Sequence, residues 1–120
     1  MPLFRNTPQL LVEFRAGKPA ALEQVYRYYV RPVDTYFRAL ARFAGVAELS
    51  QPSAVADLLQ EAFIRAFSEN ARMAYDGLRE YSPYLHTIAR NCFFDALRKR
   101  KKEVLIAPED LPLTADDAPA

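Results

Sequence analysis

The sequence predicts an all-α fold: a compact bundle of three main helices plus a short N-terminal helix, with an irregular loop before the last helix. Two observations carry this expectation. Apolar residues recur at three- and four-residue steps over long stretches, with no sustained period-two alternation. Ala, Leu, Arg and Glu abound while glycine occurs only three times in 120 residues, a composition that favours helix. With 51% apolar and 12% aromatic residues, one domain of this length can fill a core.

Thr7-Pro8 reads as an N-cap followed by a first-turn proline, opening a short helix that Gly17 closes. Lys18-Pro19 restarts the chain. From Ala20 to about Ala44, the positions Leu22, Val25, Tyr26, Tyr29, Val33, Tyr36, Phe37, Leu40 and Phe43 mark a long amphipathic helix, which Pro32 is expected to kink rather than split. Gly45 to Ser53 reads as a connecting loop in which Ser50 or Ser53 caps the next helix. That helix runs to about Glu69 on a stripe of Val55, Leu58, Leu59, Ala62, Phe63, Ala66 and Phe67. Asn70 to Tyr81, with Asp76-Gly77, is a loop with room for one helical turn. Ser82-Pro83 then opens the last helix, whose stripe of Leu85, Ile88, Ala89, Cys92, Phe93, Ala96 and Leu97 runs into Arg98-Lys99-Arg100-Lys101-Lys102. Residues 1–103 form the helical domain. Residues 104–120, acidic and proline-bearing, read as a linker or disordered tail.

The formal charge of +1 conceals a division: Arg90 to Glu103 holds six basic and two acidic residues, whereas Val104 to Ala120 has four acidic residues and no base. A cationic helix end joined to an apolar seam points to nucleic acid. Cys92 and His86 are each the only residue of their kind, too few for a metal site or a disulfide within the chain. No glycine-rich phosphate loop or nucleophile elbow is present, so neither a cofactor nor enzymatic activity is expected. No apolar run approaches the roughly 20 residues that span a bilayer, and a cytoplasmic protein is expected.

Asp57, Gln60 and Glu61 lie at spacings of three and four, on adjoining helical turns outside the apolar stripe. They suit arginines on a partner helix, or form a solvated face that favours the helix macrodipole. Tyr75, Arg79, Tyr81 and Tyr84 surround the loop before the last helix; rings there can stack on unpaired bases or complete the core. Tyr75, beside the Asp76-Gly77 turn, is the better candidate for a base contact. Asn91 can pair with a base edge through a donor and an acceptor together, or simply face solvent. Arg90, Arg98, Lys99, Arg100 and Lys101 can neutralise phosphates, or form a solvated helix end.

The ordered set Asp57-Leu-Leu-Gln60-Glu61, Tyr75-Asp-Gly77, Tyr84-Leu85, Ile88-Ala89-Arg90-Asn91 and Asp95-Ala-Leu97-Arg98 resembles region 2 of bacterial sigma factors of the extracytoplasmic-function (ECF) group. The resemblance covers roughly Gly17 to Glu103. It implies that Asp57, Gln60 and Glu61 dock on the clamp helices of core RNA polymerase. It also implies that Tyr75 and its loop capture a flipped base of the minus-ten element on the single-stranded non-template strand, with Asn91 as a polar reader. An anti-sigma factor is a further implied partner. Tyr84 stands where the family commonly has tryptophan, and the 44–54 loop looks longer than usual. No second domain reading the minus-thirty-five element follows, so the sequence is expected to be the first part of a longer chain. Two other readings stay open: a helical interaction domain for an anti-sigma-like regulator, and a stand-alone regulator of duplex DNA.

Overall fold

The computed structural model describes residues 3–104, all helices and connections. Helices α1 (Leu3–Asn6) and α2 (Pro8–Arg15) precede the long α3 (Pro19–Ala44). A 3-10 turn at Ala47–Ser50 leads to α4 (Pro52–Ala66), the short α5 (Glu69–Ala74) and α6 (Tyr81–Val104). Helices α3, α4 and α6 pack against one another as the bundle, α2 lies across α3 and α5, and α1 rests on α2. The three expected main helices and the short N-terminal helix, α2, are therefore present, and α1 is an additional helical turn ahead of Thr7 that the spacing did not indicate. Of the acidic segment 104–120, all but Val104 lies outside the described residues.

Helix α3 buries Ala21, Val25, Tyr29, Val33, Phe37 and Ala41, a strict four-residue repeat along one face. This line is narrower than the expected stripe. Tyr26 lies at its margin and Phe43 is 88% exposed, because the small Ala21 and Ala41 rather than the large neighbouring rings meet the bundle. Pro32 sits on the exposed side of one continuous helix. Burial of Tyr29, Val33 and Phe37 around it opposes the roughly 3 kcal/mol that an interior proline costs. Gly45, with φ 71°, supplies the left-handed C-cap that ends α3.

The expected serine caps differ. Pro52 takes the first position of α4 and Gln51 precedes it without a side-chain cap, while the Ser50 hydroxyl donates to the Ala47 carbonyl at 2.7 Å. The 3-10 turn is tied down through its two central residues: Leu49 is buried, and Glu48 pairs with Arg100 of α6 at 2.7 Å. Helix α4 stops at Ala66, short of Glu69, because the Ser68 hydroxyl accepts from the Ala71 amide and caps α5 instead. Helix α6 starts one residue before the expected Ser82, at Tyr81.

The core has two parts. Between α3, α4 and α6 it is built from Val25, Phe37, Val55, Leu58, Ala62, Leu85, Ala89 and Phe93. Beneath the 75–80 loop it is aromatic. Tyr81 lies 5.2 Å from Phe4, 5.6 Å from Phe14, 5.3 Å from Tyr29 and 5.0 Å from Tyr75, ring centre to ring centre. Edge-on arrangements such as Phe4 with Tyr81 and Tyr75 with Tyr81 favour ring quadrupoles as well as burial.

Candidate partner and nucleic-acid interface

Asp57, Gln60 and Glu61 are all exposed on α4. Ile64 continues their stripe, three residues beyond Glu61 and four beyond Gln60, and is 60% exposed. It was not singled out in the sequence, although its absence from the buried stripe is the signal that finds it. Beside it an open apolar groove of about 490 Å³ is lined by Tyr26, Ala56, Leu59, Phe63 and Ile64. The α4 face thus combines carboxylates, an amide and apolar surface, the mixture that suits an amphipathic, cationic helix.

The loop before α6 is organised by Asp76, whose carboxylate accepts from the Leu78 amide at 2.9 Å and the Arg79 amide at 3.3 Å. Those two backbone donors, Leu78 first, hold the Asp76 carboxyl below its ordinary value. Gly77 takes φ 77°, and a Cβ there would come within 2.7 Å of Leu11 Cδ2, so the turn folds tightly onto α2. The result corrects the expectation for Tyr75. Its ring is 2% exposed and its hydroxyl donates to the Arg79 carbonyl, so in this conformation it offers no face to a base. The turn that was expected to present Tyr75 outward instead draws it into the aromatic core.

Tyr84 is half-buried, with its hydroxyl donating to the Ala71 carbonyl at 2.7 Å and the Arg79 guanidinium 5.7 Å from its ring centre. Arg79 itself is exposed and lies 3.5 Å from Asp76. Tyr81 is buried, and its hydroxyl has no hydrogen-bond partner among the described residues. Burial pushes the phenol of Tyr29 up to about 12 and raises those of Tyr75, Tyr81 and Tyr84, so all four stay protonated near neutral pH.

Further along α6, Arg90, Asn91, Phe94, Asp95 and Arg98 line an open groove of about 630 Å³ whose other wall is Arg65 of α4. The Asp95 carboxylate accepts from Arg65 Nη1 at 3.0 Å and also from Arg98. Arg65 Nε donates to Glu61 at 2.9 Å, and that hydrogen bond, ahead of the one to Asp95, raises its pKa. Ion pairs Glu61–Arg65–Asp95–Arg98 therefore run from the exposed α4 face into the α6 groove. Tyr84, Asn91 and Arg98 recur at seven-residue spacing along this side of α6, so the loop and the groove share one face of about 21 Å.

The basic run does not act as one patch. Arg98 faces this groove, Lys99 lines a second one with Asp57 and Glu61, Arg100 is taken by Glu48, and Lys101 is exposed. Phe94 is a residue that the sequence reading passed over. In the doublet Phe93-Phe94 only one ring can follow the buried stripe, and Phe93 is fully buried while Phe94 is turned into the groove.

Cys92 and His86 are placed as structural residues. Burial pushes the Cys92 thiol up to about 11, which keeps it protonated and unreactive near neutral pH. His86 Nδ1 hydrogen-bonds the Ser82 carbonyl at 2.8 Å and its ring packs on Tyr36. No cluster of metal-ligating residues occurs among the described residues, and no helix among them is long and apolar enough to cross a membrane.

The α-helical bundle thus carries a mixed polar and apolar exposed face on α4 and a cationic, amide-bearing groove on α6. The Sigma-70 region 2 family matches residues 25–103, and the chain belongs to that family. It is 33% identical over 88 residues to the ECF RNA polymerase sigma factor SigM of Bacillus subtilis (strain 168), covering 73% of this chain and 47% of that protein. The chain thus spans about half the length of the curated relative it matches. No solved structure matches it significantly. Helices α1 and α2 lie ahead of the family-matched residues yet supply Phe4 and Phe14 to the core beneath the loop.

Proposed function

We propose that this chain acts as the region 2 module of an ECF-type sigma factor, holding core RNA polymerase while it recognises and melts the minus-ten promoter element to start transcription. The observation that carries this reading is the division of surfaces within the family-matched residues. Asp57, Gln60, Glu61 and Ile64 stand exposed together on α4, while Arg90, Asn91 and Arg98 line one groove on α6. In this reading the α4 face takes the clamp helices of the polymerase, its carboxylates and amide meeting arginines and Ile64 meeting apolar side chains.

The non-template strand then follows the α6 face from Arg79 and Tyr84 to Asn91 and Arg98. Arg90, Arg98, Lys99 and Lys101 serve as phosphate contacts and Asn91 as the base-edge contact. Arg100 serves as a phosphate contact once it leaves Glu48. No bond is made or broken by the module. Melting is capture of an unstacked state, in which stacking and phosphate pairing offset a few kcal/mol of unstacking per base. Such a role places the protein in the cytoplasm with the polymerase and needs no cofactor. The apolar groove beside Gln60 also suits a helix from an anti-sigma factor, which would compete with polymerase for the same face.

The test is binding to core RNA polymerase by the parent and by a variant with Asp57, Gln60 and Glu61 all changed to Ala. Specific binding that the triple variant loses, with its helical circular dichroism unchanged, is the expected result. A folded parent that fails to bind core polymerase overturns the reading in favour of an interaction domain or a duplex regulator.

A further inference from the structure

Phe94 has an unusual position for a phenylalanine. It is 36% exposed in a groove whose other lining residues are Arg65, Arg90, Asn91, Asp95 and Arg98. Its ring is held edge-on against the buried Phe93 at 5.4 Å and 82°, so its orientation is set by the core rather than by solvent. Around it stand three guanidinium groups and a single carboxylate, Asp95, which engages Arg65 and Arg98 together. A fixed ring flanked by cations is what unpaired bases require, since the π-face accepts any base and the cations follow the backbone. A duplex keeps its bases stacked on each other and offers such a ring nothing but its edge.

We propose that the groove between α4 and α6 is a single-stranded nucleic-acid subsite in which Phe94 stacks on an unpaired base and Arg65, reaching across from the polymerase-facing helix, binds a backbone phosphate. This rests on the sigma reading and deepens it, for it assigns contact roles to two residues, Phe94 and Arg65, outside the set inferred from sequence. Asp95 is the positioning residue: in the free chain its carboxylate holds Arg65 and Arg98 toward the groove. Arg65 is also held by Glu61, but all of these pairs are partly exposed and of modest strength, so a phosphate can take either guanidinium from its carboxylate partners. Asn91, also in the groove, is left to address the edge of the same base or its neighbour.

The experiment titrates a short fluorescent single-stranded DNA of mixed sequence, and its duplex form, with the full chain and its variants across a salt series. Phe94→Leu keeps the apolar bulk and loses the ring, and should weaken single-strand binding by about fivefold or more. Phe94→Tyr keeps the ring and should bind like the parent. Arg65→Gln should lower the slope of log affinity against log salt by about 0.7, one phosphate contact on a single strand, a change that a packing role would not produce. Duplex affinity should respond little to Phe94→Leu.

Two results overturn the subsite: Phe94→Leu binding the single strand as tightly as the parent, or Phe94→Tyr losing as much as Phe94→Leu, which would make the ring a packing residue alone. Core polymerase binding, measured on the same proteins, keeps the two claims apart. A parent that binds polymerase while Phe94→Leu leaves single-strand binding intact sinks only the subsite. A parent that does not bind polymerase sinks the sigma reading whatever the DNA does.

Discussion

The aromatic core beneath the 75–80 loop and the groove between α4 and α6 both place an aromatic ring on or near the last helix, yet they are built on opposite principles. In the first, Phe4, Phe14, Tyr29, Tyr75 and Tyr81 are buried against one another, and the hydroxyl of Tyr75 is turned inward to a backbone carbonyl. In the second, Arg65, Asp95 and Arg98 are joined by partly exposed ion pairs around a half-exposed ring. The difference separates two quantities that sequence composition confuses. Rings in the first region supply stability, whereas the partly exposed pairs of the second contribute little to stability and leave its side chains open to solvent.

Phe14→Ala tests the first half of this contrast most severely. Phe14 is fully buried and packs edge-on to Phe67 and Tyr81, so its removal should cost about 3–5 kcal/mol, read as a fall in the urea midpoint. A loss below about 1 kcal/mol would mean that the N-terminal helices are not integral to the domain. Asn91→Ala tests the second half. Stability should change by less than about 0.5 kcal/mol, because the side chain is exposed. Discrimination among promoter sequences by the polymerase complex should weaken by about 1–3 kcal/mol, with binding to core polymerase retained. Equal loss of promoter and polymerase binding would show that the two surfaces are not separate.

These two substitutions also mark what the sequence makes legible. The all-α bundle follows from spacing alone, since Val25, Leu58, Ala62, Leu85, Ala89 and Phe93 all fall where the helical period puts them. Asp57, Gln60 and Glu61 are exposed because the same period leaves them outside the stripe. Tyr75 was not legible. Whether a turn tyrosine points outward depends on Gly77 folding against Leu11 of α2 and on Asp76 drawing in the Leu78 and Arg79 amides, long-range and local geometry together. Neither was the fate of the basic run, because Glu48, the residue that takes Arg100, belongs to a 3-10 turn with no periodic signature.

Conservative changes to two tyrosines sharpen the contrast inside the aromatic core itself. Tyr75→Phe removes a hydrogen bond to the Arg79 carbonyl and should cost about 1 kcal/mol, with faster amide exchange at Leu78 and Arg79. Tyr81→Phe removes a buried hydroxyl that has no partner among the described residues, so stability should hold or rise by up to about 1 kcal/mol. If both substitutions destabilise equally, the Tyr81 hydroxyl is satisfied in solution and the region is more polar than its geometry indicates.

Asp76 stands at the border between the two kinds of region, exposed to solvent yet responsible for the turn that buries Tyr75. Its folded-state pKa is depressed by the Leu78 and Arg79 amides, so the folded chain binds its proton less readily than the unfolded chain does. Its contribution to stability is therefore present above the unfolded value, about 3.9, and is lost as pH falls through the lower folded value. Asp76→Asn keeps an oxygen that can accept from the same amides but loses the charge. The stability difference between parent and Asp76→Asn, measured by urea unfolding, should therefore be constant near neutral pH and shrink only below about pH 4. A difference that instead persists unchanged into strong acid would show that the side chain's shape, and not its ionised carboxylate, holds the turn.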